Sequence, residues 1–144
     1  MKNKILITGS SRGIGAAIAR LAKEKGYEVL LHGRTHSSHL KELAKELDSK
    51  YVIFDISKED EVKRALSKIT QINVLVNSAG VNISKAFDDL TDTDWRAVYD
   101  VNLFGLVNVT KHVIPIMKKS KSTGKIINIA SIYGSCAPDF SIYD

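Results

Sequence analysis

Cysteine is almost absent from this chain: Cys136 stands alone in 144 residues, so no internal disulfide can form, in keeping with a reducing compartment. No apolar run comes near the roughly 18 residues that a membrane span needs. The opening Met1-Lys2-Asn3-Lys4 leads into a strand too short for the apolar core of a signal peptide, and the expectation is a cytoplasmic protein with no membrane partner. Repeats, low-complexity stretches and linkers are lacking too, and 44% hydrophobic with 26% charged residues is the composition of one globular domain. A strong charge of one sign is also missing. The net charge is +5, the lysines are scattered over helix faces, and the densest cluster, Lys118-Lys119-Ser120-Lys121, falls at a helix end where cations suit the dipole. No nucleic-acid partner is expected. His36 and His39 could share a helix face, but no carboxylate or cysteine joins them at a recognised metal spacing, so no metal site is expected.

What is present is organised around the first turn. Ile5-Leu6-Ile7 is a β-branched apolar run that breaks into Thr8-Gly9-Ser10-Ser11-Arg12-Gly13-Ile14-Gly15, and apolar residues then resume at helical spacing with Ala17, Ile18 and Leu21. Strand, tight loop and helix start follow one another. Glycines there let backbone approach a ligand closely, while free N–H groups and the positive end of the helix dipole favour a phosphate. Taken alone, the segment fits either a nucleotide diphosphate site or an ordinary strand-to-helix turn that needs positive φ.

The remainder alternates short apolar strands with amphipathic helices. Tyr27–His32 reads as a second strand ending in Gly33-Arg34-Thr35, and Leu40, Leu43, Ala44 and Leu47 stripe the next helix. Tyr51–Phe54 is a third strand closed by Asp55. Ser57 and Asp60 have capping-box spacing ahead of a helix striped by Val62, Ala65, Leu66 and Ile69. Val74–Val76 is the fourth strand, stopped by Asn77-Ser78-Ala79-Gly80. From about Thr91 or Asp94 a long helix runs towards Met117, where Pro115 and the lysines after it are expected to end it. Trp95, Val98, Tyr99, Val101, Leu103, Phe104, Leu106, Val107, Val109, Val113 and Ile114 occupy much more than one stripe of that helix, so both sides need cover and a helix-to-helix contact in a homo-oligomer is expected over about Asp94 to Met117. Ile126–Ala130 is the fifth strand, followed by a loop from Ser131 to Tyr143. Strands without clean alternation, separated by helices, predict an α/β fold: a Rossmann-like doubly wound parallel sheet, five strands in the order 3-2-1-4-5. The ligand crevice of that fold lies at the carboxyl ends of strands 1 and 4, where residues 8–15 and 77–80 fall.

Taken together, these segments resemble the short-chain dehydrogenase/reductase family over essentially the whole chain. Residues 8–15 look like its T-G-x-x-x-G-x-G loop, and Asn77-Ser78-Ala79-Gly80 is similar to its N-N-A-G segment with serine for the second asparagine. Asn102-Leu103-Phe104-Gly105 matches its N-x-x-G, Ser131 follows strand 5 where its catalytic serine lies, and Tyr143 comes twelve residues later. The resemblance implies hydride transfer between a nicotinamide and a small carbonyl or alcohol substrate, such as a 3-oxoacyl compound or small ketone. By it, Tyr143 exchanges a proton with the substrate oxygen, Ser131 holds that oxygen, and Asn102 supports the site through helix backbone and bound water. It also implies cofactor contacts from Thr8, Gly9, Ser10, Ser11, Arg12, Gly13, Ile14 and Gly15, from Asn77, Ala79 and Gly80, and from Asp55 near the adenine amine with Ile56 beside it.

Strand 2 ends in His32-Gly33-Arg34, without the acid that would bind both ribose hydroxyls of NAD, and Arg34 with Arg12 could clamp a 2′-phosphate. NADP(H) is therefore expected over NAD(H). The family's tyrosine is followed four residues later by a lysine, whereas this sequence stops at Asp144. The expectation is a single NAD(P)-binding Rossmann-like domain over 1–144, incomplete at its carboxyl end and without its last strands. It is either a portion of a longer reductase or a shortened gene product, and inactive alone. The alternative is a non-catalytic nucleotide-binding or subunit-pairing module derived from such a reductase. A nucleotide-sugar epimerase is disfavoured by its glycine spacing.

Overall fold

The structure is a computed structural model that describes residues 3–120 and 123–136. Five parallel strands form one sheet in the order β3-β2-β1-β4-β5: β1 (Lys4–Ile7), β2 (Glu28–Gly33), β3 (Lys50–Ile53), β4 (Val74–Asn77) and β5 (Lys125–Asn128). This is the doubly wound arrangement that the sequence predicts. The helices α1 (Gly13–Glu24), α2 (Ser38–Glu46) and α3 (Glu59–Leu66) connect the first four strands.

The missing alternation in the middle strands β1, β2 and β4 has a direct cause: both of their faces are buried. Ile5 and Ile7, Val29 and Leu31, and Val74 and Val76 point to one face and pack under α1 and α2 against Ala16, Ala19, Leu40 and Leu43. The intervening Leu6, Leu30 and Leu75 point to the other, against Val62, Leu66, Val109 and Val113. Successive strand side chains alternate faces, so covering both requires apolar residues at every position.

The long helical region starts where the sequence predicts and differs from expectation in two ways. Thr91 caps it in a true capping box with Asp94, whose carboxylate also accepts from Lys85 at 2.7 Å. It is not one helix: α4 (Asp92–Tyr99) passes into a π-helical segment (Asp100–Gly105) and then into α5 (Leu106–Lys119). Pro115 does not end it. The proline lies inside α5, at a cost of one N–H donor, and the helix continues to Lys119 with Val109, Val113 and Met117 buried against the sheet. The expected Ser57–Asp60 capping box is also absent. Both the N–H and the hydroxyl of Ser57 instead donate to Asp55 Oδ1, at 2.9 and 2.7 Å, which makes a side-chain turn, and α3 starts at Glu59 after an N-cap Lys58 without a side-chain bond. Among the described residues, no helix is long and apolar enough to cross a membrane.

Candidate functional site

The carboxyl ends of the strands surround an open cleft of about 630 Å³. Its walls are the loop after β1, the end of β2, the residues after β3 and residues 78–81 after β4, so the crevice opens where the crossovers change direction.

The loop after β1 is shaped by close approach. Gly9 has φ +64°, and a Cβ there would stand 2.6 Å from Ala79 Cα; a Cβ on Gly15 would stand 2.5 Å from the Gly9 carbonyl oxygen. These two glycines let β1, β4 and α1 converge. Gly13 also has positive φ, but its missing side chain leaves open space at the cleft. The N-cap residue of α1, Arg12, puts no side chain on the first N–H groups of the helix, and Gly13, Ile14 and Gly15 line the cleft. A helix start of this kind, uncapped by the protein and edged by Arg12, fits an anionic diphosphate.

Not every predicted contact faces the cleft. Thr8 is buried, and its hydroxyl accepts the N–H groups of Ser78 and Ala79 at 3.0 and 3.1 Å, tying the β1 and β4 loops together. Ser10 is buried as well, and its hydroxyl accepts from the His32 N–H at 2.8 Å. Asn77 points away, donating to Thr110 Oγ1 and Asn128 Oδ1 at 3.1 and 2.9 Å. These three side chains bond to other protein groups at the strand ends and are not among the residues that line the cleft. Ser11, Arg12, Ile14, Arg34, Ile56, Ala79 and Gly80 do line the cleft. Asp55 lines it too, with Oδ1 engaged by Ser57.

Arg12 and Arg34 are exposed on the cleft wall, and Asp55 is the one carboxylate among the described lining residues. Ser37 and His39, at the start of α2, complete the wall beside Arg34. The sequence pattern marks His39 only as a surface residue and does not single out Ser37, whose hydroxyl caps α2 by accepting from the Leu40 N–H.

His32, which the sequence marks only as the end of strand 2, belongs to the framework of the site. It is 2% exposed, with Nδ1 accepting the Gly9 N–H at 3.1 Å and Nε2 on the Phe54 carbonyl at 2.9 Å. Its ring lies against Phe54, centroids 4.1 Å apart. Burial pushes the His32 pKa down to about 4, partly opposed by the Phe54 carbonyl and by Asp55. The available signal was a histidine in an otherwise apolar buried strand, since such a group must be paired.

Asn102 sits in the π-helical segment and clamps one residue of the loop after β4. Its Oδ1 accepts the Val81 N–H at 2.8 Å and its Nδ2 donates to the Val81 carbonyl at 2.9 Å. The side chain is exposed rather than enclosed in an apolar helix. Ser131 is exposed after β5, its hydroxyl accepting the Tyr133 N–H at 3.2 Å. Tyr143 lies outside the described residues.

A family model described as short chain dehydrogenase matches residues 3–143. Nodulation protein G of Rhizobium sp. (strain N33) is 38% identical over 138 residues, covering 91% of this chain and 55% of that protein. Serine 3-dehydrogenase of Agrobacterium fabrum is 35% identical over 139 residues, covering 92% of this chain and 55% of that protein. The chain thus spans about half the length of these relatives. Among solved structures, a gluconate 5-dehydrogenase from Burkholderia cenocepacia J2315 in complex with NADP and tartrate superposes with a TM-score of 0.86 at 31% identity, covering 96% of this chain and 57% of that one.

Proposed function

Since the chain belongs to the short-chain dehydrogenase family, we propose that it forms the cofactor-binding part of an NADP-dependent oxidoreductase acting on a small carbonyl or alcohol. The observation that carries the cofactor choice is the charge on the cleft wall: Arg12 and Arg34 stand there, and β2 ends in His32-Gly33 with no acid. Arginine's planar fork suits a 2′-phosphate, and an acid at that strand end would repel it. The solved gluconate 5-dehydrogenase complex, which contains NADP, supports the same choice. When bound, the cofactor supplies the hydride carrier. The first turn of α1 and Arg12 would hold the diphosphate, Arg34 the 2′-phosphate, and Ile56 with Asp55 the adenine side.

Ser131 and Tyr143 are proposed to bind the substrate oxygen and move its proton, with Asn102 as a positioning residue acting through the loop after β4. We assign cofactor binding to these 144 residues and turnover to the whole protein. The chain is further proposed to pair with a second copy through the helical region from about Asp94 to Met117. A second reading, a nucleotide-binding or pairing module without turnover, is favoured by the large apolar surface on that same region, where Trp95, Tyr99 and Phe104 are exposed.

The test is titration with NADPH and NADH. NADPH is expected to bind more tightly, and Arg34→Asp to reverse or abolish the difference, a loss of about 1.5 to 3 kcal/mol for one charge-assisted pair. Equal affinities in the unmodified chain would remove the charge argument.

A further inference from the structure

The glycine loop is stapled to the end of β2 by side chain and backbone together. His32 Nδ1 accepts the Gly9 N–H at 3.1 Å, the Ser10 N–H donates to the His32 carbonyl at 3.0 Å, and Ser10 Oγ both accepts the His32 N–H at 2.8 Å and donates to the His32 carbonyl at 3.2 Å. Because Nδ1 accepts, the ring proton is on Nε2, where it donates to the Phe54 carbonyl at 2.9 Å. One ring therefore joins three segments: the loop after β1, the end of β2 and the residue after β3.

Only one protonation state fits this arrangement. A proton on Nδ1 would set an N–H against the Gly9 N–H, and the alternative neutral tautomer would also leave Nε2 without a proton facing a carbonyl oxygen. The Phe54 carbonyl and the charge of Asp55 favour a protonated ring, and burial outweighs both in keeping it neutral. The Gly9 amide, held inward by His32, is not available to a ligand, so the amides left for an anion are those of the uncapped first turn of α1.

We propose that His32 is the positioning residue of the phosphate loop: its neutral ring pins the Gly9 amide inward and thereby sets where the first turn of α1 meets the cofactor diphosphate. The inference rests on the nucleotide reading of the cleft, and its test separates the two. In the unmodified 144-residue chain, ¹⁵N spectra of the imidazole should show an unprotonated Nδ1 and a protonated Nε2 that do not titrate between about pH 7.5 and 5.5. A ring that titrates in that window, or carries its proton on Nδ1, overturns the staple. His32→Asn keeps an acceptor oxygen near the Nδ1 position, and His32→Phe keeps the aromatic volume against Phe54 but no acceptor.

NADPH affinity should fall about tenfold or more in His32→Phe and stay within about threefold in His32→Asn, since a lost acceptor leaves the Gly9 amide free to turn. A merely space-filling role predicts the opposite order and would overturn the proposal. If the unmodified chain bound neither NADPH nor NADH, the nucleotide reading would fail. Hydrogen exchange at Gly9 would then still decide whether His32 shapes the loop: acceleration in His32→Phe but not in His32→Asn supports it, and equal protection in both sinks it.

Discussion

At the scale of single residues, the three loop glycines are not equivalent, and the difference is measurable. Gly9 combines φ +64° with backbone of Ala79 in the space of a Cβ, whereas Gly13 has φ +57° and nothing within 4 Å. Alanine at Gly13 should cost only the left-handed penalty, about 1–2 kcal/mol. Alanine at Gly9 adds a clash with backbone that cannot turn aside, about 1–3 kcal/mol more. Thermal or urea unfolding of the two variants should therefore rank Gly9→Ala well below Gly13→Ala, and equal losses would contradict the close approach to Ala79. Acid stability is also set by single residues. His32 has its pKa lowered to about 4 in the fold, so between that value and its unfolded 6.5 the unfolded chain binds more protons and stability rises with pH. The His32 contribution is complete above about pH 6.5 and lost as the pH falls towards 4, about 3 kcal/mol in all. Asp94 acts in a separate window. Lys85 and Thr91 pull its pKa down to about 2, so its stabilisation is present above its unfolded 3.8 and lost as the pH falls through 2. Urea unfolding between pH 7 and 4.5 should show a steep loss that His32→Phe flattens; identical pH profiles for the two chains would refute this assignment.

At the scale of elements, the π-helical segment is where local pattern and tertiary structure part. Asn102 bonds both the N–H and the carbonyl of Val81, which holds the loop after β4 against the helix at the point where the helix widens. Such widened turns occur mostly as isolated bulges at functional sites. Removing both bonds with Asn102→Ala should accelerate hydrogen exchange at Val81 while leaving protection in β1 and β4 unchanged, and a loop that stays protected would show that the clamp is not what orders it. The interruption was illegible because the run Asp100-Val101-Asn102-Leu103-Phe104-Gly105 contains no proline to mark it, and the Val81 partner of Asn102 lies 21 residues away in sequence. Pro115 misled in the other direction: burial of Val109, Val113 and Met117 carries α5 through it. The parallel sheet, by contrast, was readable from runs such as Val74-Leu75-Val76, because burial on both faces leaves no alternation. At the site, residues whose backbone or charge faces the cleft, such as Gly13 and Arg34, could be picked from spacing. Thr8, Ser10, Asn77 and His32 could not be assigned their partners, since each bonds across strands far apart in the chain.

At the scale of the whole molecule, apolar burial is uneven. The middle strands are enclosed, whereas every residue of β5 is exposed, with Ile127 at 48%, and β5 lies at the edge of the sheet. The helical region from α4 to α5 leaves Trp95, Tyr99, Leu103, Phe104, Val107 and Ile114 exposed, while Val109, Val113 and Met117 are buried. An isolated apolar side chain on a surface needs no explanation, but six large ones on one helical stretch form a patch of the kind that marks an association site. Phe104, at 55% exposure and beside the buried Gly105, is near the middle of that stretch and should act as an anchor. An aromatic anchor at the centre of an interface is commonly worth 2 kcal/mol or more, about thirtyfold in a dimer dissociation constant. The 144-residue chain should therefore associate in sedimentation velocity at micromolar concentration, and Phe104→Glu should shift it towards monomer by at least that factor. Lys41→Glu, on the far side of the sheet in α2, serves as the charge control and should leave association unchanged. A monodisperse monomer in the unmodified chain, or equal shifts in the two variants, would mean that the patch is not where copies of this chain meet.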